Sequence, residues 1–320
     1  MNGPSPEDNR LLATRARMLS RLRQFFDQRG FLEVETPLLS TEVIPELHID
    51  PMAVIPCQPA SDPGPVRYLQ ASPEAAMKRL LAAGATAIYQ VTRSFRAGER
   101  GKLHRPEFTL VEWYRAGDDM QAGMVLLDAL VQHLLATPPA IRTSYRAAFV
   151  RQVGVCPHRA SSEKLAQRAA ALGIAAAEGM DHTDRDQWLD RLLDVCVQPT
   201  LGQSGPELLY HYPASQAALA QLDSDEHGLT VAERFELYFR GVELANGYHE
   251  LTCAEQLRRR LEGVNIARQT EGRPALPLPE RLLAAMEAGL PPSAGVALGF
   301  DRLLMLALDA ESIDAVNPLS

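Results

Sequence analysis

Near the N-terminus the apolar residues Leu12, Ala16, Leu19, Leu22 and Phe26 recur at helical spacing, with arginines on the other face. The pattern predicts an amphipathic helix over residues 10–29, stopped by Gly30. Gly30-Phe31-Leu32-Glu33-Val34-Glu35-Thr36-Pro37 then reads as a short strand, closed by a proline that cannot continue a ladder. Residues 43–67 are rich in proline and lack periodicity, which predicts loop with short strands. At Ser72-Pro73-Glu74 a further helix opens. Ser72 can cap, Pro73 suits the first helical position, Glu74 favours the positive end, and Gly84 stops it.

After Pro106 the period changes to two. Phe108, Leu110, Glu112 and Tyr114 face one way, and Thr109, Val111, Trp113 and Arg115 the other. Helical patterns cover residues 118–136, 161–172 and 184–197, and strands return over 207–212 and 231–240, where Phe235, Leu237 and Phe239 alternate. Residues 140–203 carry no chemical motif and read as a helical insertion between two halves of a sheet. Asn246-Gly247 is a turn signal and predicts a hairpin. Thr252 and Glu255 stand at capping-box spacing, and the glycines of Gly295–Gly299 lead into an apolar helix over 303–308.

Composition narrows the class. With 320 residues and 46% hydrophobic content the chain can bury a substantial core, as one large domain or two modest ones. A net charge of -8 argues against a surface built mainly to grip nucleic acid, while leaving room for a local basic patch. The polar N-terminal residues and the lack of a long apolar run lead us to expect neither a signal peptide nor a membrane span. Cys57, Cys156, Cys196 and Cys253 lie far apart, with no metal or disulfide spacing, so a reducing cytoplasm is expected.

Two segments carry candidate chemistry. Phe95-Arg96-Ala97-Gly98-Glu99-Arg100 and His104-Arg105-Pro106-Glu107-Phe108 place Arg96, Arg100, Lys102 and Arg105 in a loop between two strands. The residues alone allow a solvated charged hairpin, or a cationic loop that holds phosphates beside a pocket containing Glu112 and Tyr114. Glu243 and Glu250 flank the Asn246-Gly247 turn. They are either incidental or a pair of hard oxygen ligands suited to Mg²⁺.

The segments resemble the signature motifs of the class II aminoacyl-tRNA synthetases, most closely the lysyl subgroup. Residues 10–37 are similar to the first motif, Phe95–Tyr114 to the second, and Gly295-Val296-Ala297-Leu298-Gly299-Phe300-Asp301-Arg302 to the third. The resemblance implies an α+β fold, an antiparallel sheet flanked by helices, forming one catalytic domain over about residues 10–315 and a homodimer through the first motif. It implies ATP held by Arg96, Ala97, Gly98, Glu99, His104, Arg105, Phe108, Glu243, Leu244, Gly299 and Arg302, with Arg96 and Arg302 catalytic and the adenine between Phe108 and Arg302. Glu243 and Glu250 would hold Mg²⁺. Ser72, Pro73, Glu74, Glu112, Tyr114, Glu250 and Ala297 would line the amino acid pocket.

Two departures stand in the second motif. The acidic residue after Phe-Arg is displaced to Glu99 behind Ala97-Gly98, and the usual Asn before Pro-Glu-Phe is Arg105. There is no room for an anticodon-reading domain before residue 10, and the chain closes soon after the third motif in Val316-Asn317-Pro318-Leu319-Ser320. The chain therefore looks more like the free-standing lysyl-synthetase paralogues that attach (R)-β-lysine to a lysine of elongation factor P, without tRNA. Lysyl-tRNA synthetases have Gly where this chain has Ala297, and the added methyl would crowd an α-amino group. Open alternatives are a truncated lysyl-tRNA synthetase using α-lysine, an asparagine synthetase of this fold, and a non-catalytic module that binds ATP or an amino acid.

Overall fold

The computed structural model describes residues 6–55 and 64–317; Cys57, part of the proline-rich 43–67 segment, and Pro318, Leu319 and Ser320 lie outside them. The chain gathers into two compact units. One comprises the described residues up to Gly117 with those from Leu251 onward, and the other is Asp118–Glu250.

Helix α1 (Pro6–Asp27) buries Met18, Leu22, Phe25 and Phe26. Leu12 is 44% exposed and Ala16 is exposed as well, so the inward stripe is offset from the expected one and runs through Leu11 and Arg15. The offset has a polar cause. Arg15 donates to Asp301 Oδ1 (2.6 Å) and Thr109 Oγ1 (2.5 Å), so an arginine takes an inward position that an apolar residue was expected to fill. Phe26 packs against Tyr89 (4.5 Å between ring centroids), Phe31 (5.2 Å) and Trp113 (5.3 Å). Removing this ring costs about 3–5 kcal/mol, as for other buried aromatics.

Strand β1 (Leu32–Glu33) runs parallel to residues 88–89, with Leu32 opposite Ile88 and Glu33 opposite Tyr89. Strands β2 (Leu39–Ser40), β3 (Met52–Val54) and β4 (Arg67–Leu69) form a small antiparallel sheet in the order β2-β4-β3. Helix α2 (Glu74–Ala82) ends at Gly84, whose φ is +101°. Strands β5 (Ala87–Phe95) and β6 (Glu107–Ala116) pair antiparallel from Ala87↔Arg115 to Phe95↔Glu107. Both faces of β6 are covered over Thr109–Tyr114, so its period of two sets direction rather than burial.

In the second unit, α3 (Met120–Leu135) is capped by Asp119, which accepts from Ala122 N. The expected insertion over 140–203 starts with a strand, β7 (Ile141–Ser144), parallel to β8. Helices α4 (Tyr145–Val153), α5 (Ser162–Ala171) and α6 (Arg185–Leu192) follow, capped by Ser144, Ser161 and Asp184. Past α6 the chain winds through a π-helical turn, Leu193–Val197, and a 3₁₀ turn at Gln198–Thr200 that contains Pro199. Strands β8 (Glu207–Pro213), β10 (Thr230–Phe239) and β11 (Val242–His249) are antiparallel, in the order β11-β10-β8-β7, with β9 (Leu222–Ser224) also on β10. Tyr145, Phe149, Trp188, Leu192, Leu209 and Tyr212 centre its core.

The turn between β10 and β11 is Arg240-Gly241, with φ of +53° and +73°, and not the expected Asn246-Gly247. Asn246 and Gly247 lie inside β11. A Cβ on Gly247 would stand 2.4 Å from the ring of its cross-strand partner Phe235, so this glycine serves close packing.

The first unit is completed by α7 (Ala254–Thr270), α8 (Glu280–Gly289), β12 (Ser293–Gly299) and α9 (Phe300–Ala307). The expected capping box does not form. Cys253 stands at the N-cap, and Glu255 pairs instead with Arg259 at 3.2 Å. Strand β12 lies antiparallel to β6, so this unit's sheet runs β1-β5-β6-β12. No helix among the described residues is long and apolar enough to cross a membrane.

Candidate active site

The loop expected to hold the nucleotide joins β5 to β6. Its neck is closed by Arg96 N donating to Pro106 O at 2.9 Å, and a second bridge pairs Gly101 with His104. Gly98 has φ +75°, a conformation that favours glycine, and it turns the chain so that Glu99 comes back to Arg96 at 3.6 Å. The displaced acid therefore still meets the arginine. Arg96 lies over the Phe108 ring, 5.0 Å from its centroid, and its Nε is buried without a hydrogen-bond partner. Arg302, on α9, donates from Nε to Leu103 O (3.2 Å) and approaches His104 Nε2 (2.8 Å). Burial and the Arg302 charge hold the His104 pKa below its ordinary value, which keeps the ring neutral beside the guanidinium.

Asp301 locks these parts together. It is 1% exposed, and it accepts from Thr109 N (2.7 Å) and Arg15 (2.6 Å). Thr109 follows Phe108 and Asp301 precedes Arg302, so this triad ties the two residues expected to enclose the adenine.

The residues expected to form the amine pocket centre on Glu112, in the middle of β6. Glu112 is 1% exposed and accepts from Ser72 Oγ (2.7 Å) and from Tyr114 Oη (2.6 Å). Gln90 of β5 and Ala297 of β12 are its register partners, so the Ala297 methyl shares its face. Ser72 Oγ also accepts from Glu74 N at 3.0 Å, but the helix N-cap is Pro73 and not the expected Ser72, which stands one residue before it. Glu74 does not stand alone: the buried Lys78 donates to its Oε1 at 2.6 Å. The i, i+4 spacing of Glu74 and Lys78 on α2 is the signal that the sequence reading passed over.

In the second unit, Leu244 is an extra residue in β11, because Leu237 pairs with Ala245 and Tyr238 with Glu243. The bulge brings Glu243 onto the same face as Tyr238, Glu236 and Asn246. Glu236, 5% exposed, accepts from Arg234 (2.6 Å) and Tyr238 (2.5 Å). Burial raises the Tyr238 pKa, with the Glu236 and Glu243 charges adding to the rise. Alternation of Arg234, Glu236 and Tyr238 in a buried strand would have flagged this polar face, but the sequence reading followed Phe235, Leu237 and Phe239. Glu250 is 1% exposed and its backbone carbonyl accepts from Gln221 Nε2 at 3.0 Å. Beside it, His249 meets Glu233 at 2.5 Å, and this hydrogen bond raises its pKa.

Among the described residues no cluster of three or more acidic, histidine or cysteine groups forms a protein-only metal cage. Mg²⁺ asks for less, since it takes one or two carboxylates and completes its shell with water and substrate phosphates. Glu243 on β11 and Glu250 just after its end are carboxylates of that donor chemistry.

Strands β5, β6 and β12 pair antiparallel, and β12 runs directly into α9 with Asp301-Arg302 at its start, as the expected fold requires. The chain belongs to the class II tRNA synthetases of the D, K and N group, whose family model matches residues 4–320. Among its relatives, the elongation factor P–(R)-β-lysine ligase of Edwardsiella ictaluri is 47% identical over 97% of this chain and 94% of its own. The ligase of the same name from Klebsiella pneumoniae is 45% identical over 95% of this chain and 93% of its own. That from Salmonella typhi is 45% identical over 94% and 92%.

Proposed function

We propose that this protein is an ATP-dependent ligase that activates (R)-β-lysine as an adenylate and transfers it to a lysine side chain of elongation factor P. The observation that carries the reading is Glu112, a buried carboxylate oriented by the hydroxyls of Ser72 and Tyr114 on the strand that leaves the Arg96 loop. A buried carboxylate at this place suits a charge-assisted hydrogen bond to a substrate amine. Sequence identity of 45–47% with three proteins named for this reaction supports it further.

In the first step the substrate carboxylate attacks the α-phosphorus of ATP and pyrophosphate leaves. Arg96 faces the α-phosphate, with the buried Nε as a donor in reserve, and Arg302 and His104 serve the outer phosphates and the adenine. Ala97, Gly98, Glu99, Arg105, Phe108, Leu244 and Gly299 complete the nucleotide contacts. Mg²⁺ held by Glu243 and Glu250 would neutralise phosphate oxygens. Chemistry of this kind proceeds mainly by positioning and charge stabilisation. In the second step a neutral lysine ε-amine of elongation factor P attacks the activated carbonyl, AMP leaves, and the new amide loses a proton.

The family match runs through both units, which supports a single catalytic domain with its insertion at residues 140–203. Leu12 and Leu32, exposed by 44% and 64%, support a homodimer through the first motif, which sedimentation velocity tests. With a translation factor as the proposed acceptor, the reading includes a cytoplasmic reaction that uses no tRNA. The decisive experiment is ATP–pyrophosphate exchange with (R)-β-lysine, α-lysine and aspartate, followed by the intact mass of added elongation factor P and a tRNA charging assay. We expect exchange to favour (R)-β-lysine and elongation factor P to gain one β-lysyl group. Exchange with no amino acid, or charging of tRNA in place of the protein, overturns the proposal.

A further inference from the structure

The nucleotide loop is fastened by residues that belong to none of the three motifs. At its start, Ala97 N donates to Asp50 O at 2.8 Å. Asp50 is gripped in turn by Arg268, near the end of α7. Arg268 donates to Asp50 Oδ1 (2.7 Å), Glu46 O (2.8 Å), Ile49 O (3.4 Å) and Pro274 O (3.1 Å), and its side chain is 1% exposed. Arg273 adds a bond to Leu47 O at 2.9 Å. A guanidinium is costly to bury unless its donors are met, and here most of them go to the single segment 46–50.

The other end of the loop is tied to the closing 3₁₀ turn, Ile313–Val316. Ile313 N donates to Lys102 O at 2.8 Å, and Arg105 lies 3.5 Å from Asp314 Oδ1. Ile313 and Val316 are buried, so the turn is an anchored support and not a loose tail. Arg105 is one of the two departures from the lysyl pattern, and Asp314 supplies a countercharge to it.

We propose that Arg268, acting through Asp50, and Asp314, acting through Arg105, are positioning residues that hold the nucleotide loop in its ATP-binding form before ATP arrives. The loop contains Gly98 and Gly101, whose backbone freedom would otherwise be lost on binding. Ordering it in advance removes that loss from the binding step. The inference rests on the reading of this loop as the ATP grip.

The test compares Asp314→Asn, Asp50→Asn, Arg268→Lys and, as a control on the reading itself, Arg96→Ala. Pyrophosphate exchange gives KM for ATP and for (R)-β-lysine separately, and hydrogen exchange of residues 98–104 reports loop opening without ATP. Asp314→Asn and Arg268→Lys should each raise KM for ATP about fivefold and speed exchange in the loop, with KM for the amino acid nearly unchanged. Asp314→Asn should have no further effect in an Arg105→Asn background. Unchanged KM for ATP together with unchanged loop exchange in these variants overturns the proposal, and if Arg268→Lys does not fold, Asp314→Asn and the double variant decide. An Arg96→Ala variant with normal KM for ATP sinks the ATP reading instead, and loop exchange then judges the positioning role by itself.

Discussion

Glu112 and Ala297 show how much one residue can decide. They are register partners on β6 and β12, so a methyl at 297 stands on the same face as the carboxylate that we assign to the substrate amine. Ala297→Gly should shift preference toward α-lysine, read as the ratio of exchange rates with the two isomers; an unchanged ratio removes Ala297 from the specificity account. Glu112→Gln removes a charge from hydrogen bonds of about 1.5–3 kcal/mol, so kcat/KM for the amino acid should fall about 10- to 100-fold. Glu112 and Tyr114 were legible in the sequence because i and i+2 on a strand must share a face. The neutralisation of Glu74 by Lys78 was not singled out, since an i, i+4 pair on a helix is usually a solvated surface pair and burial is invisible in sequence.

Elements were legible where local chemistry governs them. Gly30 and Gly84 terminate their helices with positive φ, and the expected helix starts Ser161 and Asp184 cap theirs, whereas the cap Ser144 and its helix Tyr145–Val153 were not read from the sequence. Local signals misled where a partner strand overrode them. Asn246-Gly247 has turn chemistry, yet it is held in β11 by pairing to Glu236 and Phe235. Gly202 carries the same lesson. Its φ is +67°, and a Cβ there would meet Tyr238 O at 2.6 Å. Gly202→Ala should therefore destabilise by about 2 kcal/mol or more. Gly263, inside α7 with open space around it, offers the contrast: Gly263→Ala should stabilise by about 0.5–1 kcal/mol. Urea midpoints of both variants against the parent measure the difference in sign.

At the scale of the whole molecule, two histidines with opposite shifts shape stability against pH. Burial pulls the His158 pKa from 6.5 down to about 4. The unfolded chain then binds a proton that the folded chain refuses, so stability is lost as pH falls from 6.5 toward about 4. His249 is shifted upward, first by its hydrogen bond to Glu233. Its contribution is fully present below 6.5 and is lost as pH rises through its raised value. Urea unfolding across that range should show His158→Gln flattening the acid limb and His249→Gln the alkaline limb; parallel curves for parent and variants would refute the assignment.

The sequence by itself determined the family, the order of the motifs and the helix stops at Gly30 and Gly84, and it supplied the groups proposed to handle phosphate and amine. Those properties follow from residue identity and short spacings. Tertiary structure alone decided that Arg15 turns inward to Asp301, that Leu244 bulges so that Glu243 shares a face with Glu236, and that Arg268 and Asp314 fasten the nucleotide loop. Each of these joins residues far apart in the chain, and a contact made by folding leaves no periodicity or spacing to read.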